Sequence, residues 1–171
     1  SLPPVITCAN GCACAKKCYA AKLCRIYPTV KAAYQRNYEL LNGNDREYWR
    51  QVRDIVSVSK YFRFHVSGDI VNIDYFAEMV TTARLYPGCN VLAFTKKYYI
   101  VNRYIDLFGP LPENLKIITC HIGNGGSVTA VLNGKSFDTS MGFTPLDGLV
   151  MGTRCGSVDA GAVLFIGEKE G

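Results

Sequence analysis

The sequence contains no apolar run approaching the roughly 18 residues of a membrane-spanning helix, so no span is expected. No basic-then-apolar stretch opens it, and no secretion signal is expected either. Histidine is scarce, with two, and tryptophan occurs once. Charged residues are only 19% of the 171, against 49% hydrophobic, a balance that excludes a disordered chain and suits one ordinary domain. There is no internal repeat and no low-complexity tract. Ser1 and Glu170-Gly171 both read as cut ends, the latter inside a helix-like pattern. Acidic residues are outnumbered fourteen to nineteen, and the excess of positive charge lies in residues 1–118. Lys16, Lys17, Lys22 and Arg25 cluster together, and Lys96 and Lys97 follow an expected strand. That pattern is compatible with an anionic partner, nucleic acid included, although a solvated surface is the plainer reading.

Cysteine, by contrast, is abundant. Five of the eight fall at Cys8, Cys12, Cys14, Cys18 and Cys24. A secreted disulfide scaffold would spread them along the chain, whereas here they crowd one end beside lysines. The expectation is a reducing, cytoplasmic compartment and a metal or cluster site. Cys8, Cys12, Cys14 and Cys18 can together hold zinc or an iron–sulfur cluster, with buried free thiols as the alternative. The C-x3-C-x2-C spacing of radical S-adenosylmethionine enzymes is nearly present but not in strict form. Ala15 and Ala21 stand where the partners of Cys12 and Cys18 would fall.

Periodicity predicts a loop over 1–14, then a helix from about Ala15 to Arg25. Pro28 suits the first turn of a second helix over Thr29–Leu41, which Gly43 stops. Asn44 with Glu47 starts a third, with Tyr48, Val52, Ile55 and Val56 on its apolar face. Phe62, Phe64 and Val66 then alternate with Arg63, His65 and Ser67, which signals a strand. A helix over Tyr75–Leu85, a strand over Asn90–Thr95, a helix over Tyr98–Phe108 and a strand over Leu115–Cys120 follow. This order implies parallel pairing, as part of a β/α barrel or of an open α/β sheet. After Cys120, strands at Ser127–Leu132 and Lys135–Asp138 flank Asn133-Gly134, a strong hairpin signal. Residues 139–158 read as an ordered loop, and Asp159 as the cap of a closing helix. The fold class is therefore α/β: a partial parallel, barrel-like unit followed by an antiparallel hairpin.

Two groups of residues carry candidate chemistry outside the cysteines. His65, Asp69 and Lys96 lie where strands end, and ligands in α/β folds bind at the carboxyl ends of parallel strands. A capping Asp and solvated lysines are the bland alternative. His121-Ile122-Gly123-Asn124-Gly125-Gly126-Ser127 is a glycine-rich turn between strands, whose backbone N–H groups can approach an anion because no Cβ intervenes. Alone, such a turn is more often a plain hairpin.

That turn is followed by the stretch from Asp138-Thr139-Ser140-Met141-Gly142-Phe143-Thr144-Pro145 through Leu149-Val150-Met151-Gly152-Thr153-Arg154. Together they resemble the acetate kinase family over residues 115–171, nearly without gaps. The resemblance implies an actin-like, sugar-kinase-type domain, transfer of the ATP γ-phosphoryl group to acetate, and Mg²⁺. It implies that His121, Gly123, Asn124, Gly125 and Gly126 face the nucleotide phosphates and that Arg154 is catalytic. A guanidinium suits phosphoryl transfer, which is promoted mainly by positive charge on the equatorial oxygens. The family usually has an acidic residue where Ser157 stands and a proline where Ala160 stands. Its remaining motifs are not visible: an Asn and a Ser near the metal, an arginine for acetate, a catalytic Asp and His, an adenine pocket and a metal-binding Glu. An inactive fragment is the expectation.

Residues 1–118 resemble a different family, a phage group called "gene product eighty-eight" and akin to radical S-adenosylmethionine barrels. The likeness rests on Ser1-Leu2-Pro3-Pro4, Cys18-Tyr19-Ala20, Tyr27-Pro28-Thr29-Val30, His65-Val66-Ser67-Gly68-Asp69 and Phe94-Thr95-Lys96-Lys97. It implies a cysteine-bound iron–sulfur cluster near Cys8, Cys14 and Cys18, with S-adenosylmethionine, and no defined substrate. Both resemblances claim Asn114-Leu115-Lys116-Ile117-Ile118. The expectation is thus a composite of two segments, 1–114 and 115–171, each incomplete. It is either natural or an artefactual fusion without function of its own.

Overall fold

The computed structural model describes residues 1–8, 15–16, 18–122, 125–132 and 135–170. Helices α1 (Tyr19–Ile26), α2 (Pro28–Gly43) and α3 (Asp45–Ser57) open it, each at a local signal. The Cys18 thiol accepts from the Ala21 N–H at 3.5 Å and caps α1, so the first helix begins later than the sequence suggests. Pro28 occupies the first turn of α2. Asn44 accepts from the Glu47 N–H at 3.1 Å and starts α3. Tyr48, Trp49 and Val56 are the buried residues of α3, whereas Ile55, expected on the same face, is exposed.

Strand β1 (Tyr61–Phe64), helix α4 (Ile73–Leu85), strand β2 (Asn90–Thr95), helix α5 (Tyr98–Phe108) and strand β3 (Leu115–Ile122) form the alternating unit that the sequence predicts. β1 pairs parallel with β2, and β2 with β3. Strands β4 (Gly126–Leu132) and β5 (Lys135–Thr139) then run antiparallel, with a register irregularity at Ala130/Val131. The order is β1-β2-β3-β4-β5 in one sheet, with β1 and β5 at its edges. The parallel β/α unit followed by an antiparallel hairpin is the arrangement the sequence predicts, here as one mixed sheet. Helix α6 (Ala160–Glu170) closes the described chain, with the Asp159 carboxylate accepting from the Gly161 N–H at 2.8 Å. No helix among the described residues is long and apolar enough to cross a membrane.

Burial is strongly one-sided. On α4, Phe76, Met79, Val80 and Ala83 are fully buried, because their helical spacing turns one stripe onto the sheet. They pack with Val91, Ala93, Val101, Leu115 and Ile117 in a single apolar cluster that also takes in Leu2 from the chain's opening. Asn114 ties this cluster to the start of β3, its side-chain amide reaching the carbonyls of Ala83, Tyr86 and Cys89. The cluster ends at Ile117. Beyond it, Ile118, Thr119 and Cys120 are half-buried, β4 is half-buried throughout and β5 is exposed throughout. No residue of α6 is buried, although Val163, Leu164, Phe165 and Ile166 are apolar.

Candidate functional site

The chain turns sharply at the carboxyl end of β1. His65 has a φ of +57°, a left-handed conformation that is uncommon outside glycine, and β1 therefore stops at Phe64 rather than continuing to Val66. The alternation inverts as a result. His65 and Ser67 are 5% and 3% exposed, while Val66 is exposed. Gly68 follows at φ +82°, and a Cβ there would lie 2.5 Å from Thr7 Oγ1 and 3.0 Å from the Leu2 Cβ. Only glycine suits that close approach. It lets the opening segment dock, with the Leu2 N–H donating to the Ser67 carbonyl at 3.1 Å and the Thr7 hydroxyl to the Pro3 carbonyl at 2.9 Å.

Asp69 locks the next turn to β2. Its Oδ1 accepts from the Ile70 N–H at 2.7 Å and the Thr95 hydroxyl at 2.6 Å, and its Oδ2 accepts from the Lys96 N–H at 3.0 Å. The Lys97 ammonium donates to the carbonyls of Thr7, at 3.0 Å, and Val71, at 3.4 Å. Asp69 is thus a structural strap across two strand ends, with its charge met by three donors.

These turns enclose a cavity of about 310 Å³ at the carboxyl ends of β1, β2 and β3. It brings together His65, Asp69 and Lys96, the three strand-end residues singled out in the sequence. Cys8 and Cys18 also line it, with Cys120 from β3. Cys12 and Cys14, the other two candidate metal ligands, lie outside the described residues. Among the described residues, no group of three His, Cys, Asp or Glu side chains is placed to hold a metal ion. Arg63 and Ser67 also line the cavity and were not anticipated; Arg63 stacks its guanidinium 4.5 Å from the Phe94 ring centroid. Burial pushes the Cys120 thiol pKa up; Lys96 opposes the shift and Asp69 adds to it.

His65 is held from behind. Its Nε2 lies 3.1 Å from the Tyr75 hydroxyl, which lies 3.1 Å from the Tyr48 hydroxyl. Among the described residues, its Nδ1 has no hydrogen-bond partner, and neither has Ser67 Oγ. Burial, with the positive charges of the Ser1 amino group and Lys97 adding to it, lowers the His65 pKa to about 3. Tyr75 shifts the other way, its pKa raised by burial and by Tyr48.

The glycine turn, which follows the carboxyl end of β3, is a second candidate site. His121 is exposed and pairs across the strands with Ser127, and Gly126 pairs with Ile122. Gly123 and Asn124 lie outside the described residues. Arg154 comes back onto this turn. A Cβ on Gly125 would sit 2.5 Å from one terminal guanidinium nitrogen of Arg154 and 3.4 Å from its central carbon. The other terminal nitrogen donates to the Pro145 carbonyl at 2.8 Å, which fixes the side chain over the turn. Two members of the sequence-predicted phosphate site, Gly125 and Arg154, are therefore adjacent.

The His65 environment sets a pH dependence. An unfolded histidine binds its proton near pH 6.5, whereas His65 in the fold stays neutral down to about pH 3. Stability is therefore unaffected above pH 6.5 and falls as the pH drops through the interval between those values. Urea denaturation at pH 7.5 and pH 5 is expected to show a loss of about 2 kcal/mol that a His65→Asn variant lacks. Asparagine tolerates the same left-handed backbone. Equal losses in both proteins would contradict the assignment.

Comparison with known proteins bears on the second site. Residues 92–171 match the Acetokinase family. The match begins inside β2, upstream of the Leu115 boundary expected from the sequence. The acetate kinase of Bacteroides fragilis is 60% identical over 77 residues, which is 45% of this chain and 19% of that protein. That of Dictyoglomus thermophilum is 58% identical over 76 residues, 44% of this chain and again 19% of the relative. The crystal structure of Porphyromonas gingivalis acetate kinase is 48% identical over 41% of this chain and 18% of that one, with a TM-score of 0.34. The chain thus spans about a fifth of the length of these relatives. Residues 92–171, from within β2 onward, are thus similar to a part of the acetate kinases.

Proposed function

We propose that residues 115–171 act as a phosphate-binding segment of acetate kinase type, joined to a separate cysteine-rich α/β unit over residues 1–114. We propose further that this chain does not itself transfer a phosphoryl group to acetate. The single observation that carries the reading is the Arg154 guanidinium seated against Gly125 in the glycine turn. A backbone without a Cβ and a fixed guanidinium suit a phosphate oxygen, which accepts from planar N–H donors. The likeness to acetate kinases supports nucleotide and acetate as the ligands of the parent activity.

The donor set argues against catalysis by this chain. Phosphoryl transfer depends on in-line placement and on charge at several points around the transferred group, and a misplacement of about 1 Å costs ~100-fold. Here one arginine and the described part of one turn face the site. The segment's apolar residues, Phe137, Phe143 and those of α6, lie open instead of closing a cleft.

The expected result is that the purified 171-residue chain forms no acetyl phosphate from ATP, Mg²⁺ and acetate. Pyrophosphate or ATP nevertheless raises its melting temperature, and Arg154→Ala removes that rise. Protein-dependent acetyl phosphate formation, or an equal rise in the variant, would overturn the reading.

A second reading is favoured by one observation, the placement of Cys8 and Cys18 on the strand-end cavity. It makes Cys8, Cys12, Cys14 and Cys18 the ligands of an iron–sulfur cluster, with S-adenosylmethionine as its co-substrate, or of zinc. Anaerobically purified protein is then expected to contain iron with acid-labile sulfide, or zinc, and to lose it on Cys14→Ala. Metal-free protein in which the thiols of Cys8, Cys12, Cys14 and Cys18 all titrate would refute that assignment.

A further inference from the structure

The opening 38 residues carry six lysines and arginines and no aspartate or glutamate, whereas the remainder of the chain is nearly balanced, thirteen against fourteen. Lys16, Lys22, Arg25, Lys31 and Arg36 are the described cations of this stretch, and every one is exposed. The ion pairs among the described residues are made by Arg50 and Arg53, so none of these five meets an acidic side chain there. A dense charge of one sign on an open surface raises the local concentration of an oppositely charged partner.

Helix α1 orders part of this charge. Ala20 is buried and Cys24 half-buried, so at 3.6 residues per turn Lys22 lies on the side opposite them. Tyr19 and Ile26 flank it on one side and Arg25 on the other. Tyr19 is 60% exposed, and Tyr27, at the junction with α2, is 51% exposed. Tyr19 is nevertheless fixed, because its hydroxyl donates to the Val66 carbonyl. Lys31 lies one turn beyond Tyr27, its N–H donating to the Tyr27 carbonyl at 3.2 Å. Tyr19 also lines the strand-end cavity, whose wall carries Arg63 and Lys96, so positive charge continues past the helix. Open aromatic rings among cations match a single-stranded nucleic acid, whose phosphates meet the cations and whose unstacked bases meet the rings. A duplex supplies the phosphates but keeps its base faces stacked, which leaves the tyrosines without a role. A helix lying in a membrane surface sinks an apolar face below a charged one. On α1 cations and apolar side chains share the outward side, and the opposite side is taken up by the fold.

We propose that the outward side of α1 and its junction with α2 bind single-stranded nucleic acid. Lys22, Arg25 and Lys31 take the phosphates, and the rings of Tyr19 and Tyr27 stack on bases. This surface is separate from the glycine turn and rests on neither its assignment nor that of the cysteines.

The test is fluorescence anisotropy with the full chain and a labelled oligothymidylate of about twenty nucleotides, over a range of salt concentrations. The strand is expected to bind, more weakly as salt rises. A variant combining Lys22→Ala, Arg25→Ala and Lys31→Ala is expected to lose at least about tenfold in affinity. Its slope of log affinity against log salt is expected to flatten by about 2, the value for three lost phosphate contacts. Tyr27→Ala is expected to weaken binding at least about fivefold, and so is annealing the probe to oligodeoxyadenylate. A control that removes equal charge elsewhere, Lys60→Ala with Arg103→Ala and Lys135→Ala, is expected to stay within about twofold of the unmodified chain. No binding at low salt overturns the proposal, as do equal affinity for the duplex and an equal loss in the control. Binding to phosphatidylserine vesicles without binding to the strand assigns the surface to a membrane and overturns it too. Should the triple variant fail to fold, Tyr27→Ala and the comparison of strand with duplex on the unmodified chain decide.

Discussion

A strand offers backbone donors and acceptors to both sides, and β3 divides its pairing between two kinds of neighbour. Along one edge Leu115–Thr119 pairs parallel with Val91–Thr95 of β2. Along the other, Ile117–Ile122 pairs antiparallel with Gly126–Val131 of β4. This double pairing is what makes one sheet out of a parallel and an antiparallel part. It satisfies the backbone without requiring the segments to share a core. The apolar cluster stops at Ile117, partway along the strand, so hydrogen bonding continues where side-chain packing does not. Most of a small domain's stability comes from burial, and here that burial belongs almost wholly to one side of β3.

The same asymmetry separates the two candidate sites. The strand-end cavity is built on packed elements: Asp69 braces β1 against β2, Gly68 admits the opening segment, and Tyr75 positions His65 from within α4. Such a site is held to a fixed geometry by its surroundings. The glycine turn sits on β3 and β4 beyond the core, with Arg154, held by the Pro145 carbonyl, against Gly125. A turn so placed can still gather an anion, because its donors are backbone groups and one guanidinium.

Much of the fold was legible because local signals and tertiary packing agree over β2, α4 and α5. The bounds of β2 and α5 fall where alternation and the Gly109 stop place them, and the α4 stripe of Phe76, Met79, Val80 and Ala83 is the buried one. The failure at β1 has a definite cause. Alternation placed Val66 inside and His65 and Ser67 outside, but the left-handed His65 reverses all three. A long-range contact with Leu2 and Thr7 goes with that conformation, and no local pattern announces it. Ser67 was missed for this reason, and Arg63 because nothing in its exposed strand position marks it for the cavity, whereas Asp69 and Lys96 were found because strand ends are places to look. The pairing of Gly125 with Arg154 was readable only through family resemblance, since the two are far apart in sequence and nothing in their spacing predicts contact.

The account's central claim is that β3 joins two units of unequal stability, and native-state hydrogen exchange reads this directly. Amides of α4, α5 and β2 are expected to exchange only through global unfolding. Those of β4, β5 and α6 are expected to open locally at a much smaller free energy. If β4, β5 and α6 share the protection of β2, the chain is one cooperative domain and the two-unit account is wrong.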